Sequence, residues 1–366
     1  MSTRYLASCF RALTALAFLL LWGPYAWNGG LVANLVAPLR GRLNDHVELK
    51  HDFTGIFFID YPISLLVAFF FFATNGSDEG FQLTVFEGYS TLQSAFVWLY
   101  VEMARPGNKP WVISTPVFFA ILWQCLGGAV ALPFYYARHI VWTDDAETLQ
   151  VRDTSVAKAL PFSFLLGAVL PAILGLAPTW EGPGSRSPEA HQICLAFFQV
   201  DPLWVMLTQA ILTEAFRWSH NSSSDVQQAS KSARNWTRSA YVAAAVSSTI
   251  GHLYTVARIY SSSNENTNIL RMRIPSSWNG PTGGVPDMLA RGTFLYLQMD
   301  IIIFDVASLV WAFALLSRLP NMRMSSITLA LAMLAGWAVL GAGGTVSLAL
   351  LVREGLLPEK SSAAGK

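Results

Sequence analysis

Four aspartates stand inside stretches that are otherwise apolar. Asp60 lies in FTGIFFIDYPISLLVAFFFFAT (residues 53–74), Asp201 precedes Pro202 within residues 192–216, and Asp300 and Asp305 share residues 293–316. His252 falls near the middle of residues 240–260, and Glu102 stands at the close of residues 83–103. A charged carboxylate in such a setting costs several kcal/mol, so each acid must face a protein interior and be neutral or paired there. Two kinds of chemistry use acids of this sort: transport of ions or protons, and protonation of a bound apolar substrate. A carboxylic acid kept neutral by an apolar site can protonate a weakly basic oxygen or an alkene. Aromatic faces then stabilise the resulting carbocation by about 0.5–2 kcal/mol each, and a dry site keeps water from quenching it. A plainer use is a hydrogen bond from one transmembrane helix to the next.

The chain is expected to be organised around Asp60. At about 1.5 Å of rise per residue it would sit roughly 10 Å inside its segment, too deep to reach the headgroups. Pro62 beside it frees a carbonyl and allows a kink. Asp300 and Asp305 are five residues apart, which places them about 140° apart around a helix. At most one of them can share a cavity with Asp60, and Asp300 is the expected one. Glu102 and Arg105, three residues apart, lie on one helical face, and an interfacial ion pair is the simple reading of that spacing.

The elements that must position these groups follow from composition. The chain has 366 residues, of which 53% are hydrophobic and 13% charged, with a mean hydropathy of +0.41, far from the roughly 25% charged residues of a soluble domain. The fold class expected is all-α, a polytopic transmembrane bundle forming one membrane domain over residues 1–366. Eight or nine spans are expected, near residues 12–27, 53–74, 83–103, 112–137, 157–176, 192–216, 240–260, 293–316 and 327–352. The first lacks a small-x-small cleavage site and reads as a span rather than a signal peptide. Residues 31–39 suit an interfacial helix. The fifth span has almost no polar side chain and is expected to face lipid or act as scaffold, while Gly336, Gly341, Gly343 and Gly344 in the ninth suit close helix packing. Residues 261–291 form the longest loop, expected either to be flexible or to fold over a cavity mouth. Lys and Arg divide almost evenly between the two sides of this arrangement, and the sequons at Asn75, Asn221 and Asn235 all fall on the N-terminal side, which points weakly to a luminal N-terminus.

A net charge of +1 without a basic tract gives a nucleic-acid partner no support. The three cysteines, Cys9, Cys125 and Cys194, follow no spacing pattern and indicate neither disulfides nor a zinc site. No DDxxD-type motif that would hold a Mg²⁺–diphosphate lies on a helix, and TDDAE in a loop is a poor substitute. Ionisation of a prenyl diphosphate is thereby disfavoured, and no metal or other cofactor is expected.

The string FTGIFFIDYPISLLVAFF, then YVEMARPGNKP, WQCLGGAVALPFYYARH, SSTIGHLYTVAR and FLYLQMDIIIFDVASLVWAF together resemble the fungal integral-membrane terpene cyclases of meroterpenoid pathways, the ascofuranone and ascochlorin cyclase type. The resemblance runs in order over most of residues 50–315. It implies a cofactor-independent isomerase of secondary metabolism that opens the epoxide of a farnesyl-type chain, often attached to an aromatic or polyketide head, and cyclises it. It implies catalytic roles for Asp60, Glu102, Asp300 and His252. RPGNKP stands where the family pattern has an Arg-Gly run, so Arg105 is not carried over. Trp123, Tyr135, Tyr136, Asp201, Trp204 and Tyr296 are the candidates for lining a substrate site. The partners expected are a hydrophobic prenylated small molecule and the lipid bilayer, and the location an integral-membrane one in the endoplasmic reticulum. Two other classes compete: a different membrane-embedded isomerase or lipid-modifying enzyme, and a small-molecule transporter. The latter should show two halves with matching broken helices, and no internal repeat stands out.

Overall fold

The computed structural model describes residues 2–145, 150–176, 184–219, 226–275 and 280–357. The chain forms α1 (Thr3–Trp27), α2 (Gly30–Arg40), α3 (Phe57–Thr74), α4 (Glu79–Ala104), the single turn α5 (Trp111–Ser114), α6 (Pro116–Leu126) and α7 (Gly128–Asp145). Then follow α8 (Thr154–Ser163), a π-helical turn (Phe164–Val169) and α9 (Leu170–Leu176), α10 (Pro188–Gln199), α11 (Asp201–Trp218), α12 (Val226–Ser261), α13 (Ile269–Arg273), α14 (Val285–Ser317) and α15 (Ser326–Leu356). Among the described residues there is no β-strand, only one isolated bridge between Arg42 and Glu48. Side-chain caps start several helices: Ser2 accepts from Tyr5 N, Asp78 from Phe81 N, Asp153 from Ser155 N and Val156 N, and Ser325 from Thr328 N.

The centre is α4, with 21 of its 26 residues buried. It runs antiparallel to α12. Glu79 meets Arg258 at one end, Ser94 Oγ donates to Ala244 O in the middle, and Arg105 at the other end binds Glu354 of α15. These contacts define two ends of the bundle, one where α4 starts and one where it finishes. The approach of α15 is close enough that a Cβ on Gly343 would lie 2.8 Å from the Thr91 backbone. Gly341 in α15 has φ +75°, a left-handed conformation that kinks the helix against His252.

The all-α expectation holds, but the span count does not. Five helices are long and apolar enough to cross a membrane, or six if α10 and α11, bent by 56°, count as one span, against the eight or nine expected. Three local features explain the shortfall. Residues 112–137 divide into α5, α6 and α7 at Thr115 and at Gly127, whose φ is +97°. Residues 192–216 break at Val200. The third and seventh expected spans lie in α4 and α12, whose polar residues make most of their contacts with protein. The long loop over residues 261–291 is partly built: it carries α13, which is pinned to the start of α4 by Arg271–Asp78 and Thr267–Glu79. The sequons do not share a side. Asn75 precedes the start of α4, Asn235 lies on α12 beside the Arg234–Gly355 contact at the other end, and Asn221 is outside the described residues.

Candidate active site

A cavity of about 790 Å³ opens between α4, the segment from α8 through the π turn to α9, α12 and the end of α15. Its walls come from Phe86, Tyr89, Ser90 and Gln93 on α4, from Leu165, Val169, Ala172 and Ile173 on the α8–α9 segment, and from one face of α12 running from Asn235 and Arg238 to Ile250 and Gly251. Leu165, Ile173, Val242, Val246 and Ile250 stay exposed along its mouth, so the cavity opens sideways through an apolar rim rather than towards an end of the bundle. The π turn contributes Leu165 and Val169 to this wall, and such turns are frequent at functional sites. Gly167 lets it press on α11, where a Cβ would lie 2.7 Å from Val205 backbone atoms. The fifth expected span is thus a cavity wall, not mere scaffold.

Behind Gln93 lies Asp201. It stands at the break between α10 and α11 and is fully buried. Gln93 Nε2 donates to its Oδ2 at 2.7 Å and Gln124 Nε2 to its Oδ1 at 3.0 Å, and no cation pairs with it among the described residues. Both carboxamide oxygens, Gln93 Oε1 and Gln124 Oε1, are buried without a partner among the described residues. Turning either amide by 180° would present that oxygen as an acceptor, so the same pair can hold a carboxylate or a carboxylic acid. Tyr89, one turn before Gln93, packs edge-on against Phe70 and Phe198 with ring centroids 5.3 and 5.5 Å away.

The other sequence candidates sit elsewhere, and none lines the cavity. Asp60 is not deep in a span: α3 begins at Phe57, so Asp60 is in its first turn, where it accepts from Thr54 N, Thr54 Oγ1 and Gly55 N, each at 2.8 Å. Asp300 caps the start of α7, accepting from Ala129 N at 2.7 Å and Gly128 N at 3.2 Å. Asp60 and Asp300 therefore do not face one cavity, contrary to expectation, whereas the divergence of Asp300 from Asp305 is as expected: Asp305 faces Arg273 at 4.0 Å.

Glu102 is buried rather than interfacial. It accepts from Arg105 Nε at 2.9 Å, His139 Nε2 at 2.9 Å and Arg353 Nη1 at 2.6 Å. Trp311 Nε1 donates to His139 Nδ1 at 3.2 Å, which fixes the tautomer that donates to Glu102. His252 pairs through Nδ1 with Glu87 at 2.7 Å and through Nε2 with Ala338 O at 3.2 Å. Trp123 packs on Phe96, Tyr135 stacks on His139, and Tyr136 stacks on Trp311 at 4.5 Å while bonding Ser308. Trp204 donates to Phe197 O, and Tyr296 to Leu126 O beside the Gly127 break. Sequence reasoning missed Tyr89, Gln93 and Arg238. Gln93, a carboxamide in the middle of an expected span, was the available signal for the first two.

Relatives match over most of this chain. The chain is 26% identical over 93% of its length to "Terpene cyclase DEP1" of Fusarium langsethiae, covering 96% of that protein. It is 28% identical over 71% of its length to "Terpene cyclase ascI" of Acremonium egyptiacum, covering 66% of it, and 26% identical over 75% to "Terpene cyclase ctvD" of Aspergillus terreus, covering 74%. No solved structure matches. The resemblance to fungal terpene cyclases thus holds, and because residues 6–357 match the family described as the CtvD domain, the chain belongs to that family.

Proposed function

We propose that this protein is a membrane-bound terpene cyclase that protonates an epoxidised or alkene-bearing farnesyl-type chain and closes it into rings through carbocations, without a metal or other cofactor. The observation that carries this reading is the Asp201–Gln93 pair: a fully buried carboxyl with no cation beside it, held at 2.7 Å by a side chain that itself lines a 790 Å³ cavity. The names of the relatives support the reaction class.

In this mechanism the substrate enters sideways from the bilayer and lies along the cavity. A rotation of Gln93 opens Asp201 to it. The Asp201 O–H bond breaks as a new O–H bond forms on the epoxide oxygen, the epoxide C–O bond breaks, and the cation left on carbon is attacked by the next alkene of the chain. The faces of Phe86 and Tyr89 stabilise the cations, and the apolar walls exclude water. The C–H bond beside the last cation then breaks, its electrons form the product alkene and its proton returns to the Asp201 carboxylate, so the acid is regenerated and product and substrate are isomers. Asp201 takes the donor role expected of Asp60, because Asp60 is saturated by a local turn and distant from the cavity. The proposal places the protein in the endoplasmic reticulum membrane. Incubating microsomes that contain the protein with an epoxidised farnesyl-phenol should give a cyclised isomer of unchanged mass. Failure to form one above the level of microsomes lacking the protein would remove the cyclase reading for that substrate class.

A further inference from the structure

The cavity is apolar along most of its length, yet one end is polar and cationic. Asn235, Arg238 and Ser239 lie there, on the same face of α12 as Val242, Val246 and Ile250. Arg238 has no ion pair or hydrogen bond among the described residues. Its neighbour Arg234 differs, donating to Gly355 O at 3.1 Å, and the nearby carboxylate of Glu354 is turned inward to Arg105 at 2.8 Å. Arg238 is exposed, as are Asn235 and Ser239, so it stands at the cavity's open end. A guanidinium with no partner among the described residues at that end is complementary to an anion on an otherwise apolar ligand, because the fork of N–H groups matches a carboxylate.

The spacing sets which part of the ligand goes where. Ser94 bonds Ala244 O, so Gln93 on the antiparallel α4 stands level with about Ala245 in the middle of the α12 wall, roughly seven residues from Arg238, or about 10 Å at 1.5 Å per residue. We propose that Arg238, with Asn235 and Ser239, is the head-group subsite, and that it recognises a carboxylate on the head of the substrate while the prenyl tail extends past Gln93. This rests on the cyclase reading for what the tail does, but not for the binding itself.

The test is therefore a binding experiment. The full-length protein, in phosphatidylcholine nanodiscs, is titrated with cis-parinaric acid and with its methyl ester, following energy transfer from tryptophan. The acid is expected to bind at least tenfold more tightly than the ester. Arg238→Gln should abolish that preference, Arg238→Lys should keep most of it, and Val246→Trp, which fills the cavity, should abolish binding of both probes. Equal binding of acid and ester by the wild type, or an acid preference that survives in Arg238→Gln, overturns the assignment. So does a loss of acid affinity on replacing a third of the lipid by phosphatidylserine that is tenfold greater in the wild type than in Arg238→Gln. Repulsion of the anionic probe by the surface acts on both, and the excess would mean that the arginine holds a bilayer headgroup. An acid preference in a protein that turns over no epoxide would leave the subsite standing and sink the cyclase reading alone.

Discussion

Arg353 donates to Glu102 at 2.6 Å across 251 positions of sequence, and both side chains are almost wholly buried. With Arg105, His139 and Glu354 they tie α4, α7 and α15 together at one end of the bundle. Each charged group has an opposite charge within the set, although Glu354 Oε1 is buried without a partner among the described residues, so the cost of burying them is offset only while the set is complete.

Removing one member should therefore be expensive. Glu102→Gln leaves two guanidinium groups short of negative charge, and a loss of about 3–5 kcal/mol is expected. Thermal melting of the solubilised protein checks this. An unchanged melting point would mean that the network does not hold the helices together.

Asp201→Asn should lower kcat by about 10²–10⁴, the range for loss of a general acid, with protein accumulating normally. Gln93→Leu should also slow turnover. Asp60→Asn should keep most of the activity, because Asp60 holds the turn at Thr54 and Gly55 and does not line the cavity. A dead Asp60→Asn variant beside an active Asp201→Asn would reverse the assignment of the proton donor.

Turnover should be unaffected by EDTA, because the proposed first step is proton transfer from a side chain. Loss of activity in EDTA that Mg²⁺ restores would point to ionisation of a diphosphate instead.

The pin between α13 and the start of α4 should weaken in acid. Burial alone would raise the Asp78 carboxyl, but the hydrogen bond from Arg271, the Phe81 amide and the Arg271 charge outweigh it and hold the group below its ordinary value. A carboxyl lowered by folding contributes stability above its unfolded pKa, and that contribution disappears as pH falls through the folded value. Protease cleavage near Arg271 should therefore rise on acidification in the wild type, and should already be high at neutral pH in Asp78→Ala. Equal resistance in both would show that the pair does not hold the loop.

Orientation should follow the charges. α1 starts at the end where α4 finishes, since Phe10 packs on Tyr136 and Trp22 bonds Leu126 O. That end gathers Arg4, Arg11, Arg105, Lys109, Arg234, Arg238 and Arg353, against Arg186, Arg258, Arg271, Arg273 and Arg291 on the side where α4 starts. The positive-inside rule then sets the N-terminus in the cytosol, opposite to the hint from the sequons. An N-terminal epitope tag should be digested by protease added to intact microsomes, and protection of the tag would invert the topology.

How much of this was legible in the sequence depends on what each signal measures. The helical class followed from composition, and the divergence of Asp300 from Asp305 from the helical angle alone. Depth did not follow. Asp60 looked buried in lipid because the apolar run begins at Phe53, but the helix begins only at Phe57, and Phe57 and Phe58 are 66% and 86% exposed. The cavity was illegible for a different reason. It is assembled from α4, α9 and α12, far apart in the chain, and much of its lining is the Leu, Val, Ile, Ala and Ser ordinary in a membrane helix. Asp201 was visible as an acid but not as the one behind the cavity, since its partners Gln93 and Gln124 come from other helices.

The sideways mouth rimmed by Leu165, Ile173, Val246 and Ile250 also sets the unit in which this protein meets its ligand. A molecule that enters through such a rim is drawn from the hydrocarbon layer, so its availability is a mole fraction in lipid and not a molarity in water. Adding empty vesicles at fixed total substrate should slow the reaction by dilution within the surface, and concentrating the aqueous phase should not restore it.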